Sequence, residues 1–294
     1  MKTLSQHVSD VLKPTRDQDS FIRSKLERIE DVIKNNETFS LKRVIHGGSY
    51  EKGTMLKNKP DVDLVLVFNK EPDTDRNWKT LMEKVYHSLK AAFPNEDIKP
   101  GENIAVHLKF KQNKAINFDI VPSYDVNSPS QMASVKNKKI YQGKTSLWHI
   151  EYWKQKKNIR YITETVMLLK AWNNKHFKNE HEVQLKSFHM EIIAACVHKK
   201  YRLENKYTIE TFLISCFQGI QGMIDGAPIY PVDWEYFDES SIKNKHYNNP
   251  LLLDPANPKD NLLKGLSCDN ARKIKSEATK AIFNIKNENY GKVF

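Results

Sequence analysis

The chain of 294 residues predicts an α+β protein, with a mixed-sheet lobe packed against a helical C-terminal lobe and a substrate cleft between the two. Two observations predict the sheet. Val62, Leu64, Leu66 and Phe68 alternate with period two, and so do Ile104, Val106, Leu108 and Phe110, each run lying beside turn-forming residues. A third predicts the helical lobe: after about residue 145 the apolar spacing becomes helical, and no low-complexity linker separates the halves. The expected divisions are residues 1–40, an N-terminal helical segment, 41–145, the sheet lobe, and 146–294, the helical lobe.

The elements follow in order. Phe21, Ile22, Lys25, Leu26, Ile29, Val32 and Ile33 fit one face of a helix after Pro14, with Asp17 as the expected cap. Val44-Ile45 starts the sheet and runs into the turn His46-Gly47-Gly48-Ser49, and a second turn follows at Gly53-Thr54. Asp63 to Phe68 is the next strand, with Asp61 at its opening. Trp78, Leu81, Met82, Val85, Leu89 and Phe93 form a helix stopped by Pro94. The strand through Val106 and Leu108 turns at Gln112-Asn113-Lys114, and Asn117-Phe118-Asp119-Ile120-Val121 returns as a hairpin. Later helices are expected through Ile159 to Trp172, Phe188 to Val197 and Ile209 to Phe217.

Residues two apart on a strand share a face, so Asp61 and Asp63 point together, away from Val62 and Leu64. Phe118 and Ile120 are apolar alternates, which turns Asp119 to the same kind of polar face. Crowded carboxylates repel unless cations lie among them, and paired divalent ions about 3.5–4 Å apart are a common partner for such acids in phosphoryl chemistry. Glycines let backbone N–H groups approach phosphate oxygens, and the Ser49 hydroxyl adds a donor. Each part has an ordinary alternative, since Gly-Ser is common turn material and alternating acids also solubilise a strand. Their order along the chain favours the phosphate-and-metal reading.

Gly47-Gly48-Ser49, Gly53-Thr54, Asp61-Val62-Asp63-Leu64-Val65 and Phe118-Asp119-Ile120-Val121-Pro122 resemble the nucleotidyltransferase superfamily with the DNA polymerase beta fold. Within it, the chain resembles the oligoadenylate synthetase branch and its bacterial relatives, the CD-NTases of antiphage signalling. Leu169-Lys170-Ala171-Trp172 and Leu252-Leu253-Asp254-Pro255-Ala256-Asn257-Pro258 extend the resemblance to about residue 260. It implies a polymerase-beta-like catalytic lobe, with the long N-terminal helix bracing both lobes. The implied reaction joins ATP, alone or with another nucleoside triphosphate, into short linear or cyclic messengers, and releases pyrophosphate.

The resemblance also implies roles. Asp61 and Asp63 would hold two Mg2+ ions, with Mn2+ as a substitute, and Asp119 would hold the ion that activates the attacking ribose hydroxyl. Gly48 and Ser49 would hold the terminal phosphates. Lys170, which on sequence alone could simply snorkel from an apolar helix, would contact triphosphate. Ser187 could face phosphate at a helix start, and Phe188 could stack a base or belong to the core. Oligoadenylate synthetases often carry Gln-Tyr at these two positions. The implied partners are double-stranded RNA as an activator and a downstream effector. The other readings are an RNA 3′-end nucleotidyltransferase of the poly(A) or CCA type, and a catalytically silent nucleotide or RNA sensor.

Composition is that of an ordinary folded protein, at 39% hydrophobic and 28% charged residues. The net charge of +11 suits nucleotides or RNA, and Lys136-Asn137-Lys138-Lys139 and Lys154-Gln155-Lys156-Lys157 are either phosphate grips or solvated faces. No apolar run approaches the roughly 20 residues that span a bilayer, so the expected place is the cytoplasm, away from membranes. Cys196, Cys216 and Cys268 lack zinc or disulfide spacing, and the first two read as small buried hydrophobes. His46 and His107 read as structural or surface residues.

Overall fold

In the computed structural model, residues 3–69, 75–100, 105–124, 138–180, 182–200, 207–231 and 250–294 are described. The chain divides into two units, Lys13–Glu151 and Met1–Leu12 with Tyr152–Phe294. Ile104 and the first half of the Lys136–Lys139 run lie outside the described residues.

The sheet of the first unit grows from β2, Asp61–Phe68, because its even-numbered residues are uniformly apolar. β1, Leu41–Gly47, pairs with it antiparallel, and β5, Asn117–Tyr124, pairs parallel on the other side. β4, Val106–Lys109, lies antiparallel to β5, and β3, Asp97–Pro100, closes the edge, giving the order β1-β2-β5-β4-β3. The sheet is therefore mixed, as the sequence predicts.

Two helices cover one face. α1 is the short turn Leu4–His7 of the other unit, α2 spans Arg16–Lys34, and α4 spans Asp75–Ala92, after the one-turn α3 at Gly48–Glu51. Ile22, Leu26, Ile29 and Ile33 of α2 share one core with Val85 and Leu89 of α4 and with Val62, Leu64, Leu66, Phe118 and Ile120 of the sheet. The α2 cap is Thr15 rather than Asp17. Thr15 is extended (φ −73°, ψ 162°), its side chain accepts from the Gln18 N–H, and the Gln18 side chain accepts from the Thr15 N–H, a reciprocal pair that Asp17, already inside the first turn, does not form.

On the opposite face, the odd residues of β2 divide by position. Val65 and Val67 are buried against Ile150 of α5, Lys138–Lys156, while Asp61 and Asp63 lie toward the start of the strand.

The second unit is helical: α6, Ile162–Phe177; α7, Ser187–Lys200; α8, Ile209–Ile224; α9, Cys268–Lys286; and α10, Tyr290–Val293. Trp172 is fully buried, its ring edge-on to Phe177 and Phe217. α6 begins three residues later than Ile159, because Tyr161 takes a left-handed conformation (φ 60°) that interrupts the helical run. The Leu-Asp-Pro stretch forms the tight hairpin β6, Leu253–Asp254, and β7, Asn257–Asn261, where Asp254 Oδ1 accepts from the Ala256 N–H at 2.8 Å. Cys196 and Cys216 are buried as expected. Burial pushes the Cys216 thiol far up, so it stays protonated.

Candidate active site

The glycine turn is shaped by two left-handed backbones, Gly48 at φ +62° and Gly53 at +69°. Just after the second, the Thr54 N–H donates back to the Ser49 carbonyl at 2.8 Å, closing the loop. Helix α2 holds this turn at two points. The Tyr50 hydroxyl donates to Asp19 Oδ1 at 2.7 Å, and His46 pairs with Glu30. Burial, reinforced by Asp19, pushes the Tyr50 phenol up to about 12, so it remains a donor throughout the physiological range. Burial would raise the Glu30 carboxyl, but hydrogen bonds from Lys34 and His46 outweigh it and hold that group below the usual range.

Gly48 is required for a second reason. A Cβ on it would fall 1.7 Å from Asp63 Oδ2, so the Asp63 carboxylate lies directly against the glycine backbone. The parallel register of β2 and β5 places Asp63 opposite Asp119 and Asp61 opposite Asn117. Asp61 resists ionisation. Burial raises its pKa first and the charge of Asp119 raises it further, against smaller opposing effects of Lys59 and Lys109.

Asp119 is held from two sides. The Asn117 side-chain amide donates to its Oδ1 at 2.5 Å, and His107 Nδ1 lies 2.6 Å from the same oxygen. Beside these groups is a cavity of about 340 Å³ lined by Asp61, Asp97, Lys99, His107, Lys109 and Asn117. Among the described residues, no three carboxylate, imidazole or thiol groups are gathered closely enough to ligate one ion. The arrangement still suits hard cations. Asp61 and Asp119 are two carboxylates in mutual repulsion, and the buried Asn117 Oδ1 has no hydrogen-bond partner.

Asp61, Asp63, Asp119, Gly48 and Ser49 thus belong to the sheet unit. Lys170, Ser187 and Phe188 belong to the helical unit. Lys170 is 4% exposed, its ammonium 3.3 Å from Glu191 Oε1. Ser187 opens α7 and is exposed, and Phe188 is half-buried with its ring against His189. The sequence reading left His107 as a structural or surface residue; the hairpin register sets it opposite Asp119, whose carboxylate it contacts.

The sequence pattern of the Second Messenger Oligonucleotide or Dinucleotide Synthetase domain matches residues 1–158, more than half of the chain. The chain belongs to this family. Membership puts this synthetase among the nucleotidyltransferases, in agreement with the resemblance drawn from its motifs. The CBASS oligonucleotide cyclase CdnC of Escherichia coli strain KTE188 is 25% identical over 291 residues, covering 93% of this chain and 87% of the relative. The cyclic AMP-AMP-AMP synthase of Escherichia coli strain MS 115-1 is 26% identical over 206 residues, 66% of this chain and 63% of the relative's length. Among solved structures, the complex of Escherichia coli MS115-1 CdnC with HORMA-deltaN has a TM-score of 0.74 at 22% identity, over 96% of this chain and 89% of its own, which establishes the shared fold. Among the described residues, no helix of the synthetase is long and apolar enough to cross a membrane.

Proposed function

We propose that this synthetase joins ATP, alone or with a second nucleoside triphosphate, into short linear or cyclic oligonucleotide messengers of antiphage signalling. The observation that carries the reading is the pairing of the coupled carboxylates Asp61 and Asp119 with a glycine turn whose Gly48 abuts Asp63, in a chain of this family. The names of both relatives support a cyclic product, and that of the cyclic AMP-AMP-AMP synthase supports adenine nucleotides. Its place is the cytoplasm, where its substrates are made.

In the proposed step, a ribose hydroxyl oxygen forms a bond to the α-phosphorus of the donor. The bond from that phosphorus to the β-phosphate bridging oxygen breaks, and pyrophosphate leaves. Asp119, its Oδ1 held by Asn117 and His107, orients the attacking hydroxyl and receives its proton. The Ser49 hydroxyl and the amides beside Gly48 bind the leaving phosphates. Asp61, Asp63 and Asp119 would hold Mg2+, or Mn2+ in its place, which when bound neutralises phosphate charge. Catalysis is mainly positioning and charge neutralisation.

Incubation with labelled ATP and Mg2+ tests this, with and without an RNA primer and with double-stranded RNA in a further arm. Label in a short phosphatase-resistant product is expected. Label only in lengthened primer, or none under every condition, would reject the messenger reading. Asp119→Ala is expected to lower pyrophosphate release more than about 100-fold and to melt within a few degrees of wild type, because removing one acid from a repelling group does not unfold a protein.

A further inference from the structure

His107 stands on β4 directly opposite Asp119 of β5 in the antiparallel register, on the face that carries the acids. Its side chain is 44% exposed, so its polar contact is not a demand of core burial. Nδ1 is 2.6 Å from Asp119 Oδ1, and against a carboxylate that nitrogen must carry the hydrogen and donate it. The Asn117 amide donates to the same oxygen. Two donors converging on one oxygen fix the rotation of the carboxylate plane, which one donor would leave free to swing.

We infer that His107 is a positioning residue for Asp119: by holding Oδ1 it fixes the carboxylate plane and presents Oδ2 to the divalent cation and the attacking hydroxyl. The inference rests on the reading of Asp119 given above. Outer-shell partners of metal-binding carboxylates commonly change metal affinity or activity by about 10–100-fold when removed. Asn117 shares the task, so the effect of losing His107 lies toward the lower end of that range.

The experiment compares wild type with His107→Ala, His107→Asn and His107→Gln. Mn2+ binding is measured by electron paramagnetic resonance with a non-hydrolysable ATP analogue present, alongside kcat and KM for ATP. In His107→Ala, Mn2+ affinity is expected to fall about 10-fold and kcat about 10–30-fold, with KM within twofold of wild type. The Asn side chain places an N–H where Nδ1 was, so His107→Asn should recover most of both losses. The longer Gln should not. Wild-type Mn2+ affinity and kcat in His107→Ala would overturn the inference, as would failure of His107→Asn to differ from His107→Ala. A wild-type protein that binds no Mn2+ and makes no product would instead remove the reading of the site, and this inference with it.

Discussion

Replacing Gly48 by alanine separates two costs that the geometry keeps distinct. At φ +62° an L-residue pays about 1–2 kcal/mol for the left-handed backbone. The new methyl would also stand 1.7 Å from Asp63 Oδ2 and 2.6 Å from its Cγ, distances no real contact shows. The obstructing atoms end a short side chain, so the carboxylate swings away at about 0.5–1 kcal/mol of rotamer strain, and the backbone stays in place. Together these give about 2 kcal/mol, a melting-point loss of roughly 3 °C for a chain of 294 residues. Activity should suffer far more, because moving one catalytic oxygen by about 1 Å can cost on the order of 100-fold. Calorimetry and a pyrophosphate-release assay read the two costs separately. In Gly48→Ala with Asp63→Ala the clash disappears, so about a third of the stability loss should return while turnover stays low. A Gly48→Ala protein that melts within 1 °C of wild type and keeps more than half its turnover would refute the contact.

Glu30 supplies a pH test. Its folded-state pKa is depressed, so its contribution is fully present above the unfolded value near 4.3 and is lost as pH falls through the lower folded value. Glu30→Gln should therefore melt lower than wild type at pH 7, by about 0.5–1 kcal/mol, with the difference closing below about pH 4. A gap that does not shrink at all as pH falls from 7 through the acid range would contradict this origin. In the helical unit, Lys170→Met leaves Glu191 in a nearly dry site and should cost about 3 kcal/mol, much of it recovered when Glu191→Gln is added. Equal melting of Lys170→Met and wild type would show that the pair has no structural role.

Period-two alternation was enough to read which face of the sheet carries the acids. It assigned Val62, Leu64, Leu66 and Phe68 to one face and the acids to the other, and the strand register then joined Asp63 to Asp119. The apolar stripe from Trp78 to Phe93 likewise marked α4. What escaped depended on partners distant in sequence. β3 has one apolar residue in Asp-Ile-Lys-Pro and exists because β4 offers it an edge. His107 gains its meaning only when β4 and β5 are aligned residue by residue. The Thr15 cap, by contrast, was local and legible: Thr15-x-x-Gln18 is a capping-box spacing, and Asp17 drew attention from it.

The division of β2 into odd and even residues, with acids and the Ile150-covered valines on one side and the main core on the other, also constrains how the gene can change length. A single-codon insertion within this strand would exchange the two sets, sending carboxylates into oil and leucines toward nucleotide. Indels in this part of the family should therefore collect in the stretch between Gly53 and Pro60, ahead of the strand, where an extra residue shifts no alternation.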